Sequence, residues 1–436
     1  MMHSASTPSQ LAIPGQPRVS SMPDSDDVFR TTLSNGIIVL ARENWSAPSV
    51  AMRGYVHAGN LDEPADLCGL SSFTATMLTR GTARRSFADI SDTVESASAS
   101  MGFWSEAHIT RFATKSLAED LDLILDVLSD ELQHSTFPAE YVERVRGQRL
   151  TAIRERENDT GAMAGLAYLE MMYENHPFGR DSLGTPESNA AVTRAALEQF
   201  HATNFAPEGM VIAVVGAVSV EDAARRVEAA LGNWDARRPV RPPIPPLPPL
   251  DGVRSKHVRV PDKSQSDILM GWRAMRRTDP DYECARLANT ILGVFGMMGR
   301  LGESVREEQG MAYYAYSSLA GGKEAGSWVT SAGVAPDNVE RASSSILAEV
   351  ERLCDERVSE DELEDSKRFL IGSLPLQMET NEGVASLLAD VEWHGLGLDY
   401  LERYTAALER LTPAEVQEVA ARYLQPNAYV RAVAGP

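Results

Sequence analysis

The sequence predicts an α+β fold made of two homologous domains joined by a proline-rich linker. Three observations carry this reading. First, the chain repeats itself. Thr193–Gly216 (TRAALEQFHATNFAPEGMVIAVVG) aligns without a gap with Thr412–Gly435 (TPAEVQEVAARYLQPNAYVRAVAG), an offset of 219 from 412 less 193. Each copy opens on a Thr placed to cap an amphipathic helix, passes through Phe205 or Leu424 and Pro207 or Pro426, and ends in a short apolar strand closed by Gly. Second, Arg238–Gly252 (RPVRPPIPPLPPLDG) holds seven prolines. That density excludes a helix or sheet interior and favours an extended polyproline II strap. Third, strand-like and helix-like segments alternate on both sides of the strap, over 436 residues, too many for one ordinary core.

In chain order, residues 1–27 are rich in Ser, Pro and Asp and read as a flexible tail without the basic start and apolar core of a secretory signal. The first domain is expected over 28–236. Within it, Ser49–Ala58 (SVAMRGYVHA) reads as a strand followed by a polar loop and a helix, and Ser266–Arg273 (SDILMGWR) is its counterpart in the second domain. Thr114–Leu132 reads as a strand end and a long helix, as does Ser331–Leu353. Phe137-Pro138-Ala139-Glu140 and Val358-Ser359-Glu360-Asp361 each open a further long helix. The linker is placed at 237–252 and the second domain at 253–436. The proline run also has the composition of a ligand for an aromatic-lined peptide groove, but a connector is needed at the repeat boundary in any case.

Composition narrows the function classes. The formal net charge of −21 argues against nucleic-acid or anionic-membrane partners, which select for basic patches. It is compatible with cationic peptides and equally with plain solubility. Cys68, Cys284 and Cys354 are odd in number and far apart, which argues against a disulfide framework or a structural zinc site. No run approaches the roughly 18 apolar residues of a membrane helix, and a cytoplasmic location is the default expectation.

Among candidate chemical groups, no two of the eight histidines lie three to five residues apart, so no helical His pair exists. His176, in His-Pro-Phe-Gly, reads as a packed or solvated loop residue. Glu106 and His108 fall in a predicted strand and read as its solvated face. Residues 292–318 (LGVFGMMGRLGESVREEQGMAYYAYSS) predict a Gly-punctuated loop (Gly293, Gly296, Gly299), an amphipathic helix from about Arg300 to Gln309 with Gly310 as its C′ residue, and a strand bearing Tyr313, Tyr314 and Tyr316. Taken alone, Arg306 fits a solvated helix face and Tyr313 a half-buried strand position.

Several motifs together resemble the pitrilysin/insulinase-like (inverted zinc) peptidases, in the branch of the processing-peptidase subunits and their bacterial two-chain relatives. They are Leu33-Ser34-Asn35-Gly36, Gly69-Leu70 with Met77-Leu78 and Gly81-Thr82, His176-Pro177-Phe178-Gly179, Leu183-Gly184-Thr185-Pro186, and Gly299-Arg300-Leu301 through Tyr313. The resemblance covers nearly all of residues 28–436. It implies two homologous α+β domains, each a mixed sheet packed by helices on one side. In such peptidases the segment matching 69–82 carries His-x-x-Glu-His: two imidazoles and a catalytic carboxylate on one helical face. Here those positions hold Ser72, Ala75 and Thr76, and the matching third-ligand position falls at about Ala152. All four metal-site groups are absent, which implies no zinc role for this chain.

The resemblance further implies roles for the second half. Arg306 and Tyr313 match the family's Arg/Tyr motif, in which the phenol stabilises the oxyanion and the guanidinium holds substrate carbonyls. Gly296, Gly299 and Arg300 are the expected substrate-binding loop. The expected function is that of the non-zinc subunit of a heterodimeric metallopeptidase, inactive alone, with zinc on a homologous partner and unfolded peptides as substrates. The alternative is a catalytically inactive assembly subunit, like the core subunits of the respiratory bc1 complex.

Overall fold

A computed structural model describes residues 22–294 and 299–436. Most of the expected tail and Gly296 of the expected substrate loop lie outside these residues. The first half runs β1 (Phe29–Thr32), β2 (Ile38–Glu43), β3 (Ser49–Val56), α1 (Leu70–Met77), α2 (Phe87–Ser96), β4 (Ser100–Ser105), β5 (Thr110–Leu117), α3 (Leu121–His134), α4 (Ala139–Arg156), α5 (Thr160–Met172), α6 (Pro186–Ala191), α7 (Arg194–Asn204), β6 (Val211–Gly216) and α8 (Val220–Leu231). After the linker come β7 (Arg254–Arg259), β8 (Ser266–Ala274), α9 (Tyr282–Asn289), β9 (Ala312–Ala320), β10 (Gly326–Val334), α10 (Val339–Asp355), α11 (Glu360–Gln377), α12 (Asn381–His394), α13 (Tyr400–Arg410), α14 (Pro413–Tyr423) and β11 (Val430–Gly435).

The two sheets have one topology. The first has the order β1-β2-β6-β3-β5-β4 and the second β7-β11-β8-β10-β9. In each, one pair is parallel (β2 with β6, β7 with β11) and the rest are antiparallel. The repeat seen in the sequence is therefore a repeat of mixed sheets, with β1 added to the first. Local chemistry builds the repeated unit. Thr193 and Thr412 cap α7 and α14 by accepting from Ala196 N at 3.1 Å and Glu415 N at 3.3 Å. Glu415 bonds back to Thr412 N at 2.8 Å, which satisfies a second orphan donor.

The halves exchange helices. α5 belongs to the first half by sequence but packs on β11, β8 and β7, while its counterpart α12 packs on β3 and β6 of the first sheet. The alternation of a strand makes this possible. On β6, Ile212 and Val214 join the core under the first half's own helices, whereas Val211, Ala213 and Val215 join the cluster that holds Leu388 and Trp393 of α12. Each sheet thus has its own helices on one face and a single borrowed helix on the other. Tyr168 of α5 lies over Gly271, where a Cβ would stand 2.5 Å from the ring. Trp393 of α12 meets the Tyr55 ring edge-on at 5.1 Å. Burying each such side chain contributes about 1.5–3 kcal/mol, so the halves are held by core packing and not by the linker alone.

The linker is docked as well as extended. Arg241 pairs with Asp62, with Nε to Oδ1 at 2.7 Å. His176 Nδ1 accepts from Phe178 N at 3.2 Å, so Nε2 carries the proton and donates to Pro245 O at 2.9 Å. The His-Pro-Phe-Gly loop is therefore a clasp for the strap. Two expectations shift. Glu106 and His108 sit in the β4–β5 hairpin, where the turn carries them out of the sheet, and their strand placement does not hold. The helix expected near 300–309 is a π-helical turn, Gly302–Glu308, ended by Gly310 at φ +58°. Among the described residues, no helix is long and apolar enough to cross a membrane.

Candidate functional site

The metal-motif positions lie on α1, entered through Gly69 at φ +91°, a conformation that disfavours any side chain. Glu63 closes the start of α1. Its two carboxylate oxygens accept from Gly69 N and Ser71 N, both at 3.0 Å, donors the helix leaves free. Burial nonetheless pushes the Glu63 carboxyl up to about 7, despite those hydrogen bonds and the nearby Arg180 and Arg149.

The vacated position is filled. Arg149, one turn before Ala152 on α4, is 7% exposed and lays its guanidinium against Ser72. It donates to Ser72 Oγ at 2.9 Å, Gly69 O at 3.1 Å, Leu183 O at 2.8 Å and Asn189 Oδ1 at 2.8 Å. Asn189 in turn holds Leu183 O and Thr185 O, both at 2.9 Å, so the Leu-Gly-Thr-Pro loop is tied to the vacant motif through one arginine. Gly184 is pressed so close that a Cβ there would meet Cys68 O at 2.3 Å. Burial lowers the Arg149 pKa to about 10, leaving it a cation at neutral pH. Nothing local in the sequence announced this residue; the only trace is an Arg three places before the expected third-ligand position.

These groups do not fit zinc. Ser72, Ala75, Thr76 and Ala152 offer two hydroxyls and two methyls where imidazole and carboxylate are needed. Both hydroxyls are spent on backbone carbonyls: Ser72 on Gly69 O and Ser182 O, Thr76 on Ser72 O at 2.9 Å. The nearest thiol, Cys68, donates to Asp181 O at 3.0 Å and is pushed by burial up to about 12. A fixed guanidinium in the same place repels a dication.

The Arg/Tyr motif stands apart from this closed site. No hydrogen bond, ion pair or ring contact among the described residues joins Arg306 or Tyr313 to Ser72, Thr76 or Arg149. Arg306 rides on the π-helical turn, whose end is closed by Gly310 N donating to Arg306 O at 3.0 Å and Met311 N to Val305 O at 3.3 Å. π-turns of this sort recur at functional sites.

Tyr313 owes its position to a β-bulge. Gly333 pairs with Tyr314, but Val334 pairs with Ala312, so Tyr313 has no partner on β10. By strict alternation Tyr313 would share the buried side of Ala315 and Ser317. The bulge turns it out, and it is 80% exposed on the edge strand. Its neighbour Tyr314 goes the other way and donates to Asp267, which also receives Thr160 of α5.

The expected substrate loop divides. Gly299 packs on Gly293, where a Cβ would meet Cα at 3.0 Å. Arg300, 6% exposed, is bound bidentate by Glu362 at 2.8 and 3.1 Å, and its fork is committed inside the chain. That arginine pins the loop to α11.

Two sheets of the same mixed topology, with the metal-motif helix closed by Arg149 and Tyr313 exposed on an edge strand, make a duplicated chain. Residues 38–186 match the family described as Insulinase (Peptidase family M16), and residues 191–370 match the Peptidase M16 inactive domain. The chain belongs to the M16 peptidase family. It is 27% identical over 416 residues to an uncharacterised zinc protease of Mycobacterium leprae, covering 94% of this chain and 92% of that protein. It is 24% identical to a probable mitochondrial-processing peptidase subunit beta of Arabidopsis thaliana, covering 93% and 78%. A crystal structure of a peptidase M16 inactive domain from Pseudomonas fluorescens superposes with a TM-score of 0.88 at 25% identity, covering 94% of this chain and 98% of that one.

Proposed function

We propose that this chain is the non-zinc subunit of a two-chain M16 peptidase. A homologous partner carries His-x-x-Glu-His and the metal, and this chain presents Tyr313 and Arg306 to the peptide bound there. The observation that carries the reading is the bulge at Tyr313. It places a tyrosine hydroxyl in solvent, on an edge strand, in a chain whose own metal motif is filled by Arg149. A phenol and a guanidinium without side-chain partners among the described residues are donors available to a developing oxyanion and to substrate carbonyls. Unfolded peptides are the fitting substrates, since an edge strand reads backbone and not sequence.

Arg300 is assigned to holding the loop, not to touching the peptide. The alternative, an assembly subunit without catalysis, draws support from the same closed motif, which is packed as tightly as core.

The test mixes this chain with a homologous chain bearing the intact motif and measures peptide cleavage. Tyr313→Phe is expected to lower turnover by about 10²–10³-fold, the usual loss for one oxyanion donor, with complex formation unchanged. Unchanged turnover with a stable complex would leave only the assembly reading. Cleavage by this chain alone, abolished by a chelator, would overturn both.

A further inference from the structure

A cavity of about 370 Å³ opens where equivalent elements of the two halves meet. The β4–β5 hairpin forms one wall and the equivalent β9–β10 hairpin (Gly321–Ala325) faces it. The C-terminal ends of α5 and α12 close the back with Tyr173, Trp393 and His394. The volume lies in the range of about 300–1,000 Å³ common to small-molecule sites.

Its chemistry is lopsided. Lys323 Nζ sits 4.0 Å from the centroid of the Trp393 ring and makes no ion pair with any described carboxylate. Burial depresses its pKa, against the opposing field of Glu324. The His394 ring makes no hydrogen bond among the described residues. Glu324 lies 2.9 Å from His108 Nε2, and Arg111 is shared between Glu106 and Asp390. Beyond burial, the fields that reach His394 come from Arg277, Lys323 and Arg111; those at neighbouring His57 come from Arg238, Lys323 and Arg241. All are cations. The recess thus has aromatic walls, carboxylates at Glu106 and Glu324 engaged by Arg111 and His108, and one cation, Lys323, outside any ion pair among the described residues.

We propose that this recess binds a small molecule with a free carboxylate and an apolar body, of the class of an N-acylated amino acid or a short peptide's C-terminus. The carboxylate lies between Lys323 and His394, and the apolar part lies against Phe178 and Tyr173. Because its walls come from both halves, an occupant bridges the two hairpins. The inference is independent of Arg306 and Tyr313.

Isothermal titration of the full chain with N-acetyl-phenylalanine, and with its C-terminal amide, tests the proposal. Saturable binding of the acid is expected, with the amide at least about tenfold weaker. A factor of ten is about 1.4 kcal/mol, within the worth of one charge-assisted contact. Lys323→Met should weaken the acid by a similar factor while Lys323→Arg retains it. Thermal midpoints of both variants, measured alongside, report on folding. No heat from the acid at millimolar concentration, equal binding of acid and amide, or unchanged affinity in a folded Lys323→Met would each overturn it.

Discussion

Replacing Arg149 by Met keeps the volume of the side chain and removes its fork. Five acceptors lose a donor: Ser72 Oγ, Gly69 O, Leu183 O, Asn189 Oδ1 and, at 3.4 Å, Ser182 O, which keeps the Ser72 hydroxyl. Leu183 O keeps Asn189 Nδ2 at 2.9 Å and Gly69 O keeps Phe73 N at 3.0 Å, so neither carbonyl is orphaned. Asn189 Oδ1 is orphaned in a residue 1% exposed, at about 1–3 kcal/mol. Hydrogen bonds to a charged group are worth about 1.5–3 kcal/mol each before the cost of burying the guanidinium is returned. Glu63 also loses a neighbouring cation. The net loss should be about 3 kcal/mol, on the order of 10 °C in Tm for a unit of this size. Urea unfolding of the intact chain measures it. Arg149→Lys should recover less than half, because one ammonium cannot span acceptors on three separate segments. A loss below about 1 kcal/mol, or full rescue by Lys, would refute the view that this arginine closes the site.

Other consequences follow from the same geometry. Gly271→Ala puts a Cβ into the buried Tyr168 ring and should cost about 1–3 kcal/mol by lifting α5 from the second sheet, read as a lower urea midpoint. Arg241→Ala removes the Asp62 pair and the contacts to His108, and should make the linker cut faster in limited proteolysis without a large change in Tm. Glu63 is raised from 4.5 to about 7 in the fold, so the folded state holds the extra proton between those values and its contribution to stability falls as pH rises through that window. Glu63→Gln should flatten that slope, seen by comparing urea midpoints at pH 5 and pH 8. His57 and His394 are lowered from 6.5 to about 4, so the unfolded chain takes up the proton and stability falls as pH drops from 6.5 toward 4. That loss should concentrate at the junction of the halves, measured as hydrogen exchange in α12.

Much of the architecture was legible because it is written in local rules. A Thr three residues before the backbone N–H that donates to it caps a helix whatever surrounds it, and seven prolines in a row of 15 residues (238–252) exclude regular structure anywhere. The repeat, its mixed sheets through the family resemblance, and the missing metal ligands all come from residue identity at fixed spacing. The helix expected over 300–309 is π-wound over Gly302–Glu308, a hydrogen-bond register that residue spacing does not encode. Glu106 and His108 were misplaced by a few residues, enough to move them from a strand face to the mouth of a cavity between halves.

What the sequence alone determined is which side chains exist and which short segments they shape: two copies of one unit, a strap between them, and a metal motif without donors. Only the tertiary structure decided how those copies trade α5 and α12, that Arg149 fills the place left by the ligands, and that Tyr313 faces outward. Each of these depends on partners far along the chain. Ser72 and Arg149 are 77 residues apart, from 149 less 72, and the bulge at Tyr313 is a relation between β9 and β10. A periodicity can say that a strand has two faces; only its paired neighbour determines which residue slips out of register.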